Sequence, residues 1–460
     1  MGSPRALLAL AWMAGFTLID SSIVSLALPD IARDFDRSVG QLAWVATGYL
    51  LALAASLLAA GRLADRFSAR RVMAGGAVAF TVTTLACGLA PTFEMLVASR
   101  VAQGAAGGVL YTVSLAIVAT AFPPDRRAVA ISIYFTSGAL GAVLGPFVGG
   151  WLTDLGGWRF VFLAQLPLPL IVLGLTLAFL PRAAGIRQRF DVPGVVTASL
   201  FIVASTFAML QLPVAGGGPS VVIAAAVAVA SLTAFVMVES RADAPAVRLS
   251  IFRNPRFVVA SVAGAGAWFA IMSSVVFIAL YLQLGRGMEA TQAGLLLLAS
   301  PAVGLLFFPF GGAAVGRLGV SRAMLIGLVL LVGSAALMVG WGADTGPLWL
   351  VAVLLLNGAG IAVTLVASAT DALAQFSPAE AGTGSAVFNS LRQLGAAFGV
   401  AAPAVAFELV ARGSREAEAA LGGSTAAFLL RLIVLLVPLL LLALSRLPRR
   451  PAPSPSGWGR

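Results

Sequence analysis

The chain reads as an all-α integral membrane protein, on three observations. Apolar residues fill 60% of its 460 positions and charged residues only 10%, where a soluble domain carries roughly 25% charged residues. The apolar residues fall in runs of about 20, the length at which a helix crosses a bilayer. Nearly all the cations sit between these runs. So few charges cannot cover a water-facing surface, which excludes a soluble enzyme or binding module of this length. Histidine is absent and Cys87 is the only cysteine, so imidazole chemistry and an internal disulfide are excluded. No catalytic triad, phosphate-binding loop or metal cluster is visible, and no cofactor is expected.

Breaks of Gly, Pro and charge divide the runs into fourteen predicted spans. The first seven are 6–28, 41–61, 72–90, 94–121, 128–152, 159–180 and 194–214. The second seven are 219–239, 256–283, 292–315, 322–343, 347–371, 382–410 and 424–446. With both ends on one side, the loops of that side hold 20 arginines against six opposite, namely Arg33, Arg37, Arg159, Arg286, Arg412 and Arg415. The excess of cations in cytoplasmic loops then places both termini in the cytoplasm. The net charge of +11 is thereby a topology signal, and no nucleic-acid partner is expected. Arg5 ahead of an apolar run, with Ser25-Leu26-Ala27 after it, has the look of a cleavable signal. Asp20 inside the run and thirteen further spans argue for a retained first helix. The tail 447–460 is too polar and Pro-rich to order itself.

The chain also repeats itself. Gly61-Arg62-Leu63-Ala64-Asp65-Arg66-Phe67-Ser68 is echoed 251 residues later by Gly312-Ala313-Ala314-Val315-Gly316-Arg317-Leu318-Gly319. Leu140-Gly141-Ala142-Val143-Leu144-Gly145 is echoed 254 residues later by Leu394-Gly395-Ala396-Ala397-Phe398-Gly399. Two echoes at nearly one offset predict two homologous six-helix halves, 1–185 and 255–446, with an extra helix pair in 186–254. Internal repeats of this kind mark transporters that rock two halves around a central site.

The Gly61–Arg71 loop resembles the loop signature between the second and third helices of the major facilitator superfamily. Gly141, Gly145, Pro146, Gly149 and Gly150 resemble that superfamily's fifth-helix antiporter motif, and Arg100-Val101-Ala102-Gln103-Gly104 its fourth-helix motif. The segments Asp20–Pro29, Tyr281-Leu282-Gln283 and Asn389–Gly395 are similar to patterns of the fourteen-span drug:proton antiporters. Ser68 and Ala69 depart from the loop pattern, which has Gly and a basic residue there. Ser22 and Ser25 replace Thr and Asn. The resemblance implies the major facilitator fold and proton-coupled efflux from the cytoplasmic membrane of a bacterium, with the proton gradient as energy source.

The residues carry their own reading. Asp20 lies about 21 Å along the first span at 1.5 Å per residue, where a carboxylate costs several kcal/mol unless paired, solvated or protonated. Burial and a nearby cation shift its proton affinity in opposite directions, so alternating surroundings make it a proton site. The plainer alternative is a structural pair with Arg100, which lies at similar depth. The resemblance ties Arg100 to proton transfer. Gly141, Gly145 and Gly149 line one face of the fifth span and permit close helix approach, and Pro146 removes a backbone donor. Gly61, Asp65, Arg66, Arg70 and Arg71 form a candidate cytoplasmic gate. For Asp65 the partner is either the positive N-terminus of the thirteenth helix or the Arg126–Arg127 loop.

Candidate cavity residues are Trp44, Tyr49, Gln103, Tyr111, Tyr134, Phe135, Trp268, Met272, Phe388, Asn389, Arg392 and Arg431. Aromatic and Met linings suit lipophilic cargo. A potential of 100 mV supplies about 2.3 kcal/mol per charge and a pH unit about 1.4 kcal/mol. One inbound proton then supports roughly a 500-fold gradient of a neutral solute but only about tenfold of a monocation. A dication is opposed by about 0.9 kcal/mol. The expected partners are therefore the bilayer, protons and a neutral or monocationic lipophilic substrate, handled by a monomer. A dedicated exporter of one metabolite and a non-transporting membrane sensor are the alternatives.

Overall fold

The computed structural model describes residues 23–36, 39–180, 191–215, 218–242, 245, 247–411 and 416–445. The expectations for Asp20, the cleavable signal and the 447–460 tail lie outside the described residues.

Every regular element among the described residues is helical. The first half contains α1 (Leu28–Phe35), α2 (Val39–Phe67), α3 (Ala69–Gly88), α4 (Phe93–Ala121), α5 (Pro124–Leu163) and α6 (Pro167–Phe179). Two further helices follow, α7 (Val192–Ala215) and α8 (Pro219–Arg241). The second half begins with α9 (Pro255–Ser273), which runs on through π-helical turns at Ser274–Ile278 and Tyr281–Gly285. It continues with α10 (Ala290–Leu297), α11 (Ala299–Leu318), α12 (Val320–Val339), α13 (Pro347–Ala374), α14 (Ala381–Ala411) and α15 (Glu416–Ser445).

Local chemistry sets many of the ends. Proline stands in the first turn of α5, α6, α8, α9 and α13, where its missing N–H has no intrahelical partner to lose. Thr92 caps α4 by accepting from the Met95 amide at 3.2 Å, and Asn254 caps α9 by accepting from the Arg256 amide at 3.0 Å. Within α5 the dihedrals leave the helical region at Gly156 and at Gly157, where φ is +74°. That break separates the fifth predicted span from the sixth, which continues into α6.

Eleven helices among the described residues are long and apolar enough to cross a membrane. They correspond to the predicted spans two to four, six to twelve and fourteen. The fifth and thirteenth predicted spans are the helices α5 and α14.

Within each half the helices pack on sequence neighbours, α2 and α3 on α4, α11 and α12 on α13, α14 on α15. Between halves, α5 packs on α11 and α2 on α14. The pair α7–α8 lies to one side, with α7 against both α2 and α14. Helices α4 and α13, equivalent under the repeat, are buried along most of their length. Their small residues let neighbouring backbones come close.

Candidate functional site

The two halves meet at the arginine-rich end. There Gly61 of α2 abuts the backbone of Gly382 in α14, and a Cβ on Gly61 would also lie 2.7 Å from that of Ala386. The repeat supplies a second copy of this contact. Gly312 of α11 faces α5, where a Cβ would lie 3.1 Å from the Ala128 carbonyl and 2.8 Å from Ser132 Oγ. Gly61 and Gly312 are 251 residues apart, and Ala128 and Gly382 are 254 apart. The two crossings are thus related by the same internal symmetry as the sequence echoes.

The first crossing carries a carboxylate. Asp65 accepts hydrogen bonds from the Gly382 amide at 2.8 Å, the Thr383 amide at 2.9 Å and Thr383 Oγ1 at 2.7 Å. These amides open α14, where N–H groups have no intrahelical acceptor and the helix dipole favours an anion. Of the two partners expected for Asp65, the structure supplies the helix terminus. Its repeat counterpart, Gly316, has open space around it. An acid there would face the second turn of α5, whose amides are already inside the helical ladder.

The loop after Asp65 holds a strained residue. Ser68 has φ +98° and ψ 138°, a region populated almost only by glycine. Its counterpart 251 residues on, Gly319, has φ +81° and ψ 157°. The same turn therefore exists in both halves, and the serine occupies it under strain. Of the other residues expected at a cytoplasmic gate, Arg70 donates to the Leu177 carbonyl at 2.7 Å. Arg66 is exposed, over the Phe67 ring, and Arg71 is exposed.

Deeper in the first half lies a buried polar cluster. Arg100, 1% exposed, donates to the Val45 carbonyl at 3.2 Å and to Gln103 Oε1 at 2.6 Å. Gln103 in turn donates to Thr84 Oγ1 at 2.8 Å. The Arg100 guanidinium lies 4.2 Å from the centre of the Tyr49 ring. Tyr49, Arg100 and Gln103 are thereby brought together. Thr84 is a member that sequence reasoning missed, because a lone threonine in an apolar helix carries no signal.

A second cluster forms where the halves meet. Arg392 of α14 donates to Asn389 Oδ1 at 2.9 Å and, across the interface, to the Tyr111 hydroxyl at 3.0 Å. Its guanidinium carbon lies 5.0 Å from the Trp268 ring centre, 5.1 Å from Phe135, 5.4 Å from Phe388 and 5.8 Å from Tyr111. Helices α4, α5, α9 and α14 thus each supply part of one cage, which gathers six of the sequence-predicted cavity residues. Tyr134 joins its edge through the Phe135 ring at 5.5 Å and hydrogen-bonds Ser114 at 3.2 Å. Met272 is half-buried, one helical turn from Trp268. Ser385, another residue sequence reasoning missed, donates to the Thr112 carbonyl at 2.8 Å and ties the halves one turn along α14 from the Asp65 contact.

The structure places two cavity candidates elsewhere. Trp44 is 45% exposed and stacks on Phe207 of α7, so it faces outward from the interface of the halves. Arg431, 0% exposed, lies inside the second half, donating to Ser274 Oγ at 2.5 Å and to Asn357 Oδ1. Asn357 occupies the position equivalent to Gln103, 254 residues on, so each half buries an amide beside a guanidinium. The π-helical turn at Ser274 widens α9 at this point; such turns frequently mark functional places. On α5, Gly141, Gly145 and Gly149 are buried, and Gly149 abuts the Ile23 carbonyl. Gly150 is half-buried, and the helix continues through Pro146.

A glycine-lined pair of mirrored crossings around a shared interior is the construction of a two-bundle membrane transporter. Residues 10–400 match the sequence profile of the Major Facilitator Superfamily, and the chain belongs to that family. It is 33% identical over 405 residues to the tetracenomycin C resistance and export protein of Streptomyces glaucescens, covering 86% of this chain and 74% of that protein. It is 33% identical over 407 residues to the methylenomycin A resistance protein of Streptomyces coelicolor, covering 86% and 84%. The multidrug resistance protein Stp of Mycobacterium tuberculosis is 32% identical over 386 residues, covering 83% and 72%. Among solved structures, the human organic anion transporter MFSD10 superposes with a TM-score of 0.68 at 20% identity, covering 96% of this chain and all of that one. The proton:xylose symporter XylE superposes with a TM-score of 0.64 at 15% identity, covering 93% and 94%. The protein is a multi-pass membrane transporter and not an enzyme.

Proposed function

We propose that this transporter exports lipophilic small molecules across the cytoplasmic membrane of a bacterium in exchange for protons. In this reading it has fourteen spans, keeps both termini in the cytoplasm, and alternates access between halves 1–185 and 255–446. The observation that carries the reading is the Asp65 latch on the first turn of α14. Alternating access needs a contact between halves that closes one side and can be released. Three hydrogen bonds to an ionised group, with two glycine crossings beside them, have that character. Export as the direction is supported by relatives about 30% identical that are named for drug and antibiotic resistance.

Asp20 is the proton carrier in this proposal, with Arg100 as the cation that favours release of its proton when the surroundings hydrate. The experiment is proton-driven efflux from proteoliposomes, wild type against Asp20→Asn. The variant is expected to lose accumulation against a gradient while retaining exchange of substrate down its gradient. Uphill export by Asp20→Asn would remove Asp20 from the coupling path. A second reading, export of one dedicated compound, is favoured by relatives named for single antibiotics, tetracenomycin C and methylenomycin A. Competition among structurally unrelated aromatics in the same vesicles separates the two.

A further inference from the structure

We infer that the Arg392 cage selects a substrate bearing an anionic group on an aromatic body. The inference rests on the exporter reading and narrows its cargo, replacing the neutral or monocationic substrate expected from the energetics by an acid. Arg392 is 2% exposed, yet among the described residues no carboxylate pairs with its guanidinium. Its Nε has no hydrogen-bond partner. Trp268, whose ring centre is 5.0 Å from that guanidinium, also buries an indole N–H without an acceptor. The Tyr111 hydroxyl accepts from Arg392, which leaves its own hydrogen free to donate. Three donors lacking an acceptor therefore sit on side chains of this one cage, and the Asn389 amide oxygen is already engaged.

Buried donors without acceptors are costly, and an intramembrane arginine is retained only where protein, water or cargo compensates it. A carboxylate or sulfonate supplies both the missing charge and the missing acceptors, and a guanidinium fork suits such groups. The surrounding rings accept the flat body of the cargo. A cation would meet the uncompensated guanidinium and be repelled. Tyr111 and Phe135 belong to the first half, and Trp268, Phe388 and Arg392 to the second. Movement between the halves therefore opens this cage to its ligand.

The test uses three probes on one ring system: 1-naphthylacetate, neutral 1-naphthaleneacetamide and cationic 2-(1-naphthyl)ethylammonium. Each is tritiated and bound to the full chain in nanodiscs, then followed by counterflow in proteoliposomes. The anion is expected to bind at least about tenfold more tightly than the amide, as one charged hydrogen bond implies, and the cation most weakly. Arg392→Gln should abolish the preference of anion over amide, and Trp268→Phe should lower the anion-to-amide affinity ratio about threefold. If Arg392→Gln fails to bind even the amide, Trp268→Phe decides. Equal or tighter binding of amide or cation by the wild type, an anion preference surviving Arg392→Gln, or one left unchanged by Trp268→Phe, overturns the inference. Arg392-dependent anion binding without counterflow would sink the exporter reading alone. Counterflow of all three probes independent of Arg392 would sink the anion site alone.

Discussion

Asp65 and Ser68 stand three positions apart and show opposite uses of local energy. Asp65 gains three charge-assisted hydrogen bonds at a helix terminus, each worth about 1.5–3 kcal/mol when buried. Losing even about 2 kcal/mol of that on Asp65→Asn shifts the closed-to-open ratio of this end roughly thirtyfold. Ser385 lies buried one turn along α14 from the Asp65 contact. In a Ser385→Cys background, an impermeant thiol reagent added from the arginine-rich side should therefore label the Asp65→Asn protein faster. Unchanged labelling would mean that Asp65 does not hold the gate. Ser68 is held at φ +98°, where a non-glycine residue costs about 1–3 kcal/mol. Ser68→Gly should stabilise the folded chain by about 1 kcal/mol after allowing for the entropy glycine adds to the unfolded state. A thermal-shift measurement in detergent checks it. The Gly319 turn in the second half needs no such change.

Among the elements, the crossings α2–α14 and α5–α11 decide whether the halves can close. Backbone contact at Gly61 and Gly382 leaves no room for a side chain. Gly61→Val should keep the protein folded and able to bind substrate but cut transport at least about tenfold, since a Cβ there forces main-chain movement. Gly75→Ala is the control, because a Cβ at Gly75 meets nothing within 4 Å, and transport should be unchanged. Loss of transport in both variants would point to general sensitivity of α2 and α3 instead of the crossing. Helix α14 combines the latch, the Thr112 tie and the Arg392 cage along about 15 Å of its length, at 1.5 Å per residue from Gly382 to Arg392. The latch and the part of the cage on α14, Phe388, Asn389 and Arg392, therefore lie on one continuous helix.

For the molecule as a whole, the charge of the cargo sets the dependence on membrane potential. Exporting a monoanion for one inbound proton moves two charges through the field. At 100 mV and one pH unit that supplies about 6 kcal/mol, a gradient on the order of 10⁴-fold. A neutral analogue is limited to roughly 500-fold. Collapsing the potential with valinomycin and potassium leaves about tenfold for either. Accumulation of 1-naphthylacetate should therefore fall far more than that of the amide. Equal sensitivity of the two probes would show that the exchange carries no extra charge for the acid.

Composition and spacing alone determined that the chain is helical and crosses a membrane. Those properties depend on residue type repeated over long windows, and a bilayer punishes every misplaced polar group. The glycines at 61 and 312 were legible as an echo, and their matched crossings follow from it. Asp65 was legible as an acid with two candidate partners, the start of the thirteenth predicted span and the Arg126–Arg127 loop, but the choice between them was not: Gly382 and Thr383 lie 317 and 318 residues away, and only the packing of α2 on α14 brings them to the acid. Likewise Tyr111, Phe135, Trp268, Phe388, Asn389 and Arg392 were readable only as separate candidates. Packing of α4, α5, α9 and α14 decided that they share one place, that Trp44 faces outward and that Arg431 belongs to another cluster. The reason is that an aromatic or arginine on an apolar helix looks the same from sequence whichever way it points. Only the rotation of each helix against its neighbours assigns it to cargo, to packing or to lipid.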